Sequence, residues 1–362
     1  MSFSKERFHA VHLTAFLLLL VILSVIIMRS LPRQTPRLRA AGSPFITRSG
    51  PNLMVNGSIL RLIGYNWHWV GTGCGSPSNT QLETTFSSIT DNSNGNVVRT
   101  AFYQSGSNNG AYTDFDRYIA YAKKYGLYIV PVLVNHWTSC EPSTATKTTA
   151  WYQSGYKQTN DGYPLSFRDY AIKLARHYAN EPTIAFWQLV NEPDVLCSAG
   201  AAQILRGFAD DMTTAIKAVD PNHLVDLGTP GWCVGNNPKD YATIVSGQVD
   251  LCDVWHSYDD GPTPLPSSMQ RRISVCQNLN KPSFVGEGGI CANVTAGGSC
   301  SGAVTPATLQ QRASFFDAKL SAGFDAGLVG YMLWSKGEQS IQDDIGLGDP
   351  TESVLAKYGA GK

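Results

Sequence analysis

Short apolar runs of β character alternate with longer amphipathic stretches along most of this chain. Nearly continuous apolar segments occur at residues 60–67, 96–102, 128–135, 184–191, 224–229, 251–258, 283–288 and 328–334. Such runs are those of strands covered on both faces, as in a parallel sheet flanked by helices. Between them, residues 113–125, 165–178, 201–219 and 306–322 read as helices, the last two with apolar residues three and four positions apart. Asn56-Gly57, ahead of the first run, signals a hairpin. A strand followed by a helix, eight times over, predicts an α/β chain folded as a single (β/α)8 TIM barrel.

The N-terminus breaks this rhythm. Residues 11–28 contain no Asp, Glu, Lys or Arg, and as a helix they would span about 27 Å against a hydrocarbon core of about 30 Å. The expected organisation is a signal or transmembrane anchor over residues 1–30, a Pro/Arg-rich linker over 31–43 and the barrel over 44–362. The whole chain balances 28 basic against 28 acidic residues, but six basic residues and one acid fall in the first forty, so the remainder is mildly acidic. That leaves no electrostatic footprint for a nucleic acid.

At 43% hydrophobic and 15% charged, the composition excludes a disordered or coiled-coil chain. Eight cysteines (Cys74, Cys140, Cys197, Cys233, Cys252, Cys276, Cys291 and Cys300) show neither C-x-x-C pairing nor zinc-finger spacing. They read as disulfide partners, with Cys291 and Cys300 the easiest pair to join across a Gly/Ser-rich loop. The positive-inside bias of the arginines after the apolar segment would place the barrel in the cytoplasm. The cysteines favour an extracellular or cell-surface location, and that is the expectation adopted here.

Reactive groups of such a barrel gather at the C-terminal ends of its strands. There the chain carries Asn66-Trp67-His68-Trp69, Arg99, Asn135-His136-Trp137, Asn191-Glu192-Pro193, His256-Ser257-Tyr258, Gly286-Glu287-Gly288 and Trp334-Ser335-Lys336. Glu192 and Glu287 fall on the fourth and seventh strands, across the barrel mouth from one another. Paired carboxylates among aromatic side chains suit glycoside hydrolysis, in which one protonates the leaving oxygen while the other attacks the anomeric carbon or activates water. Mutual repulsion is expected to raise the proton affinity of one glutamate, with Arg99 keeping the other ionised.

The run Trp187-Gln188-Leu189-Val190-Asn191-Glu192-Pro193, with His256-Ser257-Tyr258, Val285-Gly286-Glu287 and Leu333-Trp334 after it, resembles glycoside hydrolase family five of clan A. The resemblance runs in order from Phe45 to Trp334. It implies a retaining double displacement, with Glu192 as acid/base, Glu287 as nucleophile and about 5 to 5.5 Å between their carboxyl groups. It further implies that Asn191 bonds the sugar 2-hydroxyl, that Arg99 and Tyr258 support the nucleophile and that His256 lies near the acid/base. Trp334 would floor the subsite of the attacked sugar, and His136 matches a strand-three histidine.

Residues 96–100, 122–126 and 132–135 look most like the β-1,4-mannanase branch, so a β-mannan polysaccharide is the first expected substrate and β-glucan the second. Exo-acting glycosidases and transglycosylases share both glutamates and stay open. A sugar-binding protein on an inactive barrel would be expected to lack one of them. No G-x-S-x-G, H-E-x-x-H or Walker motif is present. Neither a cofactor nor a metal is expected. The protein is expected to act as a monomer, touching a membrane only through an uncleaved N-terminal segment.

Overall fold

In the computed structural model eight parallel strand positions form a nearly closed barrel around a side-chain-filled interior. The described residues are 45–359 except 71–73, 108–110, 143–145, 160–161, 196–199, 231–236, 258–260, 294–304 and 338–341, with the side chains of 68–70 also set aside. The apolar segment at 11–28, the linker and Tyr258 thus lie outside the described residues. Among those described, no helix is long and apolar enough to cross a membrane.

A small antiparallel sheet comes first, made of β1 (Thr47–Ser49), β2 (Asn52–Val55) and β3 (Ser58–Leu60). Its hairpin turns on Asn56 and Gly57, both at positive φ (51° and 75°), as a two-residue loop matching strand twist requires. The barrel follows: β4 (Leu62–Val70), α1 (Asn79–Ser93), β5 (Val97–Phe102), α2 (Thr113–Tyr125), β6 (Tyr128–Val132), α3 (Thr149–Gln153), α4 (Phe167–Tyr178), β7 (Phe186–Gln188), α5 (Ala201–Lys217) and β8 (Leu224–Asp226). It continues through α6 (Pro238–Val245), β9 (Cys252–Asp253), β10 (His256–Ser257), α7 (Ser267–Asn278), β11 (Ser283–Gly288), α8 (Leu309–Asp325), β12 (Gly330–Leu333) and α9 (Pro350–Tyr358).

The strands run in the order β10-β11-β12-β4-β5-β6-β7-β8, with β9 also beside β11. The expected sixth strand is thus split into β9 and β10. Between the halves Asp253 Oδ1 accepts the N–H groups of Gly286 (2.9 Å) and Trp255 (3.4 Å), so a side chain takes donors that a ladder would give to a carbonyl. Aspartates also stitch the seam between β8 and the sixth position. Val225 N–H donates to Asp250 Oδ2 (2.9 Å), Asp250 N–H to Val225 O (2.7 Å) and Asp253 N–H to Asp226 Oδ1 (3.2 Å).

Two apolar layers result. Leu62, Val97, Tyr128, Val130, Phe186, Leu251, Phe284 and Met332 fill the barrel, and Leu53, Val55 and Leu60 of the small sheet, with Ile46 just before it, join that cluster. The larger layer lies between strands and helices, where Phe86, Phe115, Tyr170, Phe208 and Phe316 are buried. Ser78 with Gln81, and Thr308 with Gln311, close reciprocal caps on α1 and α8. The second cap starts α8 three residues later than the apolar pattern alone suggests.

The cysteine expectation needs correcting. Cys74 and Cys140 form a disulfide with their Cα atoms 5.2 Å apart, and Cys291 is also disulfide-bonded. Cys252 on β9 and Cys276 on α7, however, are free thiols buried in the strand–helix layer, where they pack as small apolar side chains.

Candidate active site

Arg99 lies at the centre of the barrel mouth and is 1% exposed. Its Nε donates to Gln188 Oε1 (2.7 Å), Nη1 to Asn66 Oδ1 (2.7 Å) and to Glu287 Oε1, and Nη2 to Asn191 Oδ1 (2.8 Å). One guanidinium thereby joins β4, β5, β7, the segment after β7 and β11. Its fixed fork of donors suits this task, and an ion pair so deeply buried is tolerable only with these further hydrogen bonds. Glu287 on β11 is fully buried. Asn191 is held from both sides, because its Nδ2 also donates to Asn135 Oδ1 (3.1 Å).

Glu192 follows Asn191 with a positive φ of 51°. A left-handed backbone at a non-glycine residue costs about 1 kcal/mol or more, and it persists where surrounding contacts over-determine it. Here Asn191 N–H donates to Val134 O (2.8 Å) and Asn191 O accepts from His136 N–H (3.1 Å). The next described helix begins at Ala201, too far along the chain for Glu192 to be its N-cap. Its side chain is instead 23% exposed in the mouth.

Between the glutamates stands His256 of β10. Its Nδ1 lies 3.7 Å from Glu192 Oε1 and 3.6 Å from Glu287 Oε1, and its Nε2 bonds Asp253 Oδ2 at 2.7 Å. Burial opposes charge on this imidazole, yet Asp253, Glu287 and Glu192 together push its pKa up to about 10. The repulsion expected between the two glutamates does not decide Glu192. Burial would raise it, but the His256 imidazolium, the Trp137 indole N–H and Arg99 prevail and hold it below the ordinary carboxylate range. Asp253 is likewise held low against burial, chiefly by His256, while burial and the charge of Asp253 push Asp226 up.

The remaining expected residues take distinct places. His136 is buried behind Trp137, its Nδ1 at 3.0 Å from Tyr152 Oη and its ring edge-on to the indole at 4.7 Å. Burial lowers its pKa. It therefore reaches the site through Trp137. Trp334 is half-buried at the end of β12, its N–H donating to Gly288 O (3.0 Å).

Sequence reading noted Trp137 and Gln188 at the strand ends but assigned neither a role. Trp137, 43% exposed, donates from Nε1 to Glu192 Oε2 at 2.6 Å. Gln188 links Arg99 to Asp226 Oδ2 (2.8 Å) and Asp253 Oδ2 (3.1 Å) through its Nε2. The available signals were a glutamine inside the run before Asn-Glu-Pro and acids ending or interrupting apolar strands.

Glu192, His256 and Glu287 each offer one atom within 4.8 Å of the other two. A cation would accept that spacing, but Arg99 and the imidazolium already supply the positive charge. For two carboxylates the same spacing suits direct attack by one of them. Inversion instead needs about 6.5 to 9.5 Å, enough room for a water.

Comparison with known proteins agrees with this geometry. The profile of Cellulase (glycosyl hydrolase family 5) matches residues 53–335. A mannan endo-1,4-beta-mannosidase A of Aspergillus aculeatus is 26% identical over 319 residues, covering 76% of this chain and 81% of that protein. Mannan endo-1,4-beta-mannosidase 4 of Solanum lycopersicum is 25% identical over 252 residues, and the chain spans 62% of its length, less than two thirds. The crystal structure of an endo-1,4-beta-mannanase from Rhizomucor miehei superposes with a TM-score of 0.64 at 17% identity, over 87% of this chain and 99% of that one, and shares the fold. With the family profile covering most of the barrel and the paired glutamates at its mouth, the chain belongs to glycosyl hydrolase family 5 and is a glycoside hydrolase.

Proposed function

We propose that this chain is an endo-acting β-1,4-mannanase that cleaves polysaccharide with retention. The observation that carries the mechanism is Glu287, buried against Arg99, with an oxygen within 4.8 Å of one on Glu192. Glu287 attacks the anomeric carbon while Glu192 protonates the departing glycosidic oxygen. Glu192 then takes a proton from the water that releases the sugar. Arg99 and Asn66 hold the nucleophile's surroundings still, and Asn191, fixed by Arg99 and Asn135, presents its amide to the sugar 2-hydroxyl. Trp334 supplies an apolar face, and Tyr258 is assigned to the nucleophile by its place two residues after His256.

Mannan is placed ahead of β-glucan on the similarity to the Aspergillus aculeatus enzyme. The disulfide between Cys74 and Cys140 supports action outside the cytoplasm, with residues 1–30 as signal or anchor.

The test is sugar release by the purified full-length protein from mannan, glucomannan and β-glucan, beside Glu192→Ala and Glu287→Ala. Release from mannan that both substitutions abolish is the expected result. Release from β-glucan alone would reassign the substrate, and no release from any of them by folded protein would overturn the mannanase reading.

A further inference from the structure

Glu192 poses a difficulty for the reaction just described. A general acid must carry a proton, yet its neighbours hold this carboxyl below the ordinary range. The Trp137 indole gives it a hydrogen bond but no proton, whereas the His256 imidazolium beside it can give one. Asp253 accepts from His256 Nε2 at 2.7 Å, so the second ring nitrogen is turned towards the two glutamates. That Nδ1 is buried and has no hydrogen-bond partner, although carboxylate oxygens stand 3.7 and 3.6 Å away.

Asp253 is itself built in. It is 1% exposed, and its oxygens accept from His256, Gln188, Gly286 N–H and Trp255 N–H. Gly286, the residue before the nucleophile, leaves the space: a Cβ there would fall 2.0 Å from Asp253 Oδ2 and 2.6 Å from His256 Nε2. Among the described residues, the charged and titratable groups around the pair are Arg99 on β5, Glu192 after β7, Asp226 on β8, Glu287 on β11, Arg272 on α7 and Tyr241 on α6. Of these, Arg99 and Arg272 bring further positive charge.

We infer that Asp253 is a positioning residue that keeps His256 as the store of the proton delivered by Glu192. The Nδ1 proton moves to Glu192 Oε1 as Glu192 protonates the leaving oxygen. The imidazole is left neutral, with Nε2–H still on Asp253. When Glu192 later deprotonates the attacking water, that proton returns to Nδ1, so nothing is consumed. The histidine and glutamate thus work as a unit that needs one proton between them, and activity persists until the unit loses it. This inference rests on the reading of Glu192 as the acid/base.

The experiment combines a ¹⁵N-histidine NMR titration of His256 with the pH profile of kcat/KM on β-mannan, for the wild-type protein and Asp253→Asn. Asparagine keeps the size and the acceptor for Gly286 while removing the charge. In the wild type, His256 is expected to carry both ring protons at pH 7.5, with the alkaline limb of activity following its titration. In Asp253→Asn both are expected to move to lower pH by about one unit or more. A loss of kcat with no shift of the alkaline limb, or a shift to higher pH, would overturn the inference. So would a wild-type His256 already neutral at pH 7. If Asp253→Asn does not fold, the wild type decides alone: a limb that tracks His256 supports the store, and one that does not overturns it. If folded wild type releases no sugar while His256 titrates as expected and shifts in the variant, the hydrolase reading fails and the hold of Asp253 on His256 stands.

Discussion

The indole N–H of Trp137 donates to Glu192 Oε2 across 2.6 Å, so a half-exposed aromatic residue in the loop after β6 holds one oxygen of the proposed acid/base. That bond stabilises the ionised carboxylate, and Trp137→Phe removes it while keeping an aromatic face. Proton uptake by Glu192, followed through its carboxyl ¹³C signal, is expected to move to higher pH. Activity should fall about tenfold or more, the scale of one hydrogen bond to a charged group. An unmoved titration would show that the indole does not govern this carboxyl.

Arg99→Lys keeps the charge but cannot serve four acceptors spread over the barrel mouth. Leaving buried partners of this kind unmatched costs about 3 to 5 kcal/mol. The variant should melt well below the wild type and lose about 100-fold in kcat. A melting temperature and kcat both close to wild type would remove Arg99 from its central role.

Gly286→Ala tests the crowding beneath Glu287, the proposed nucleophile. The added methyl meets Asp253 Oδ2 and His256 Nε2, both on buried side chains bonded to one another. Displacing Glu287 by a fraction of an ångström is expected to cut kcat by about 100-fold, with a smaller effect on KM. Full activity in this variant would mean that the two strands part more easily than their contacts indicate.

His256 also links stability to pH. Its folded pKa of about 10 lies above the ordinary 6.5, so its contribution is fully present below pH 6.5 and is lost as pH rises towards 10. Asp226, pushed up by burial and by Asp253, works in the same direction: it favours the folded state at acidic pH and ceases to do so as pH rises. Melting temperature should therefore fall between pH 6.5 and 10. A flat profile over that window would contradict a charged, buried His256.

The Cys74–Cys140 bridge closes a loop across 66 positions of sequence. By chain entropy alone this is worth about 4 kcal/mol, which Cys74→Ser with Cys140→Ser should remove from the unfolding free energy. Cys252 and Cys276 are expected to resist a thiol reagent in the folded protein and to react once it is denatured. Rapid labelling of either under native conditions would place it nearer the surface.

The barrel was legible from the sequence because its signals are local. Strands covered on both sides show as unbroken apolar runs, and α2 was read to its observed ends, with Gly126 closing it in the left-handed conformation. Helix α1 was less legible. Leu82, Phe86 and Ile89 form its buried stripe, but Thr and Ser residues on the outer face dilute the pattern. The interruption of the sixth strand had no local mark beyond Asp253, because an acid within an apolar run does not announce which backbone groups it will accept from.

Sequence alone determined which residues reach the barrel mouth. Strand ends are set by the chain's own period, so Arg99, Asn191, Glu192, His256, Glu287 and Trp334 were brought together by topology before any contact was known. Only the tertiary structure decided their charges and partners. A proton's place depends on distances between side chains far apart in sequence, and Arg99 and Glu287 are separated by 188 positions. Repulsion between two glutamates was the reasonable expectation from composition. His256, Trp137 and Arg99 overrode it, because hydrogen bonds and opposite charges outweigh burial at Glu192.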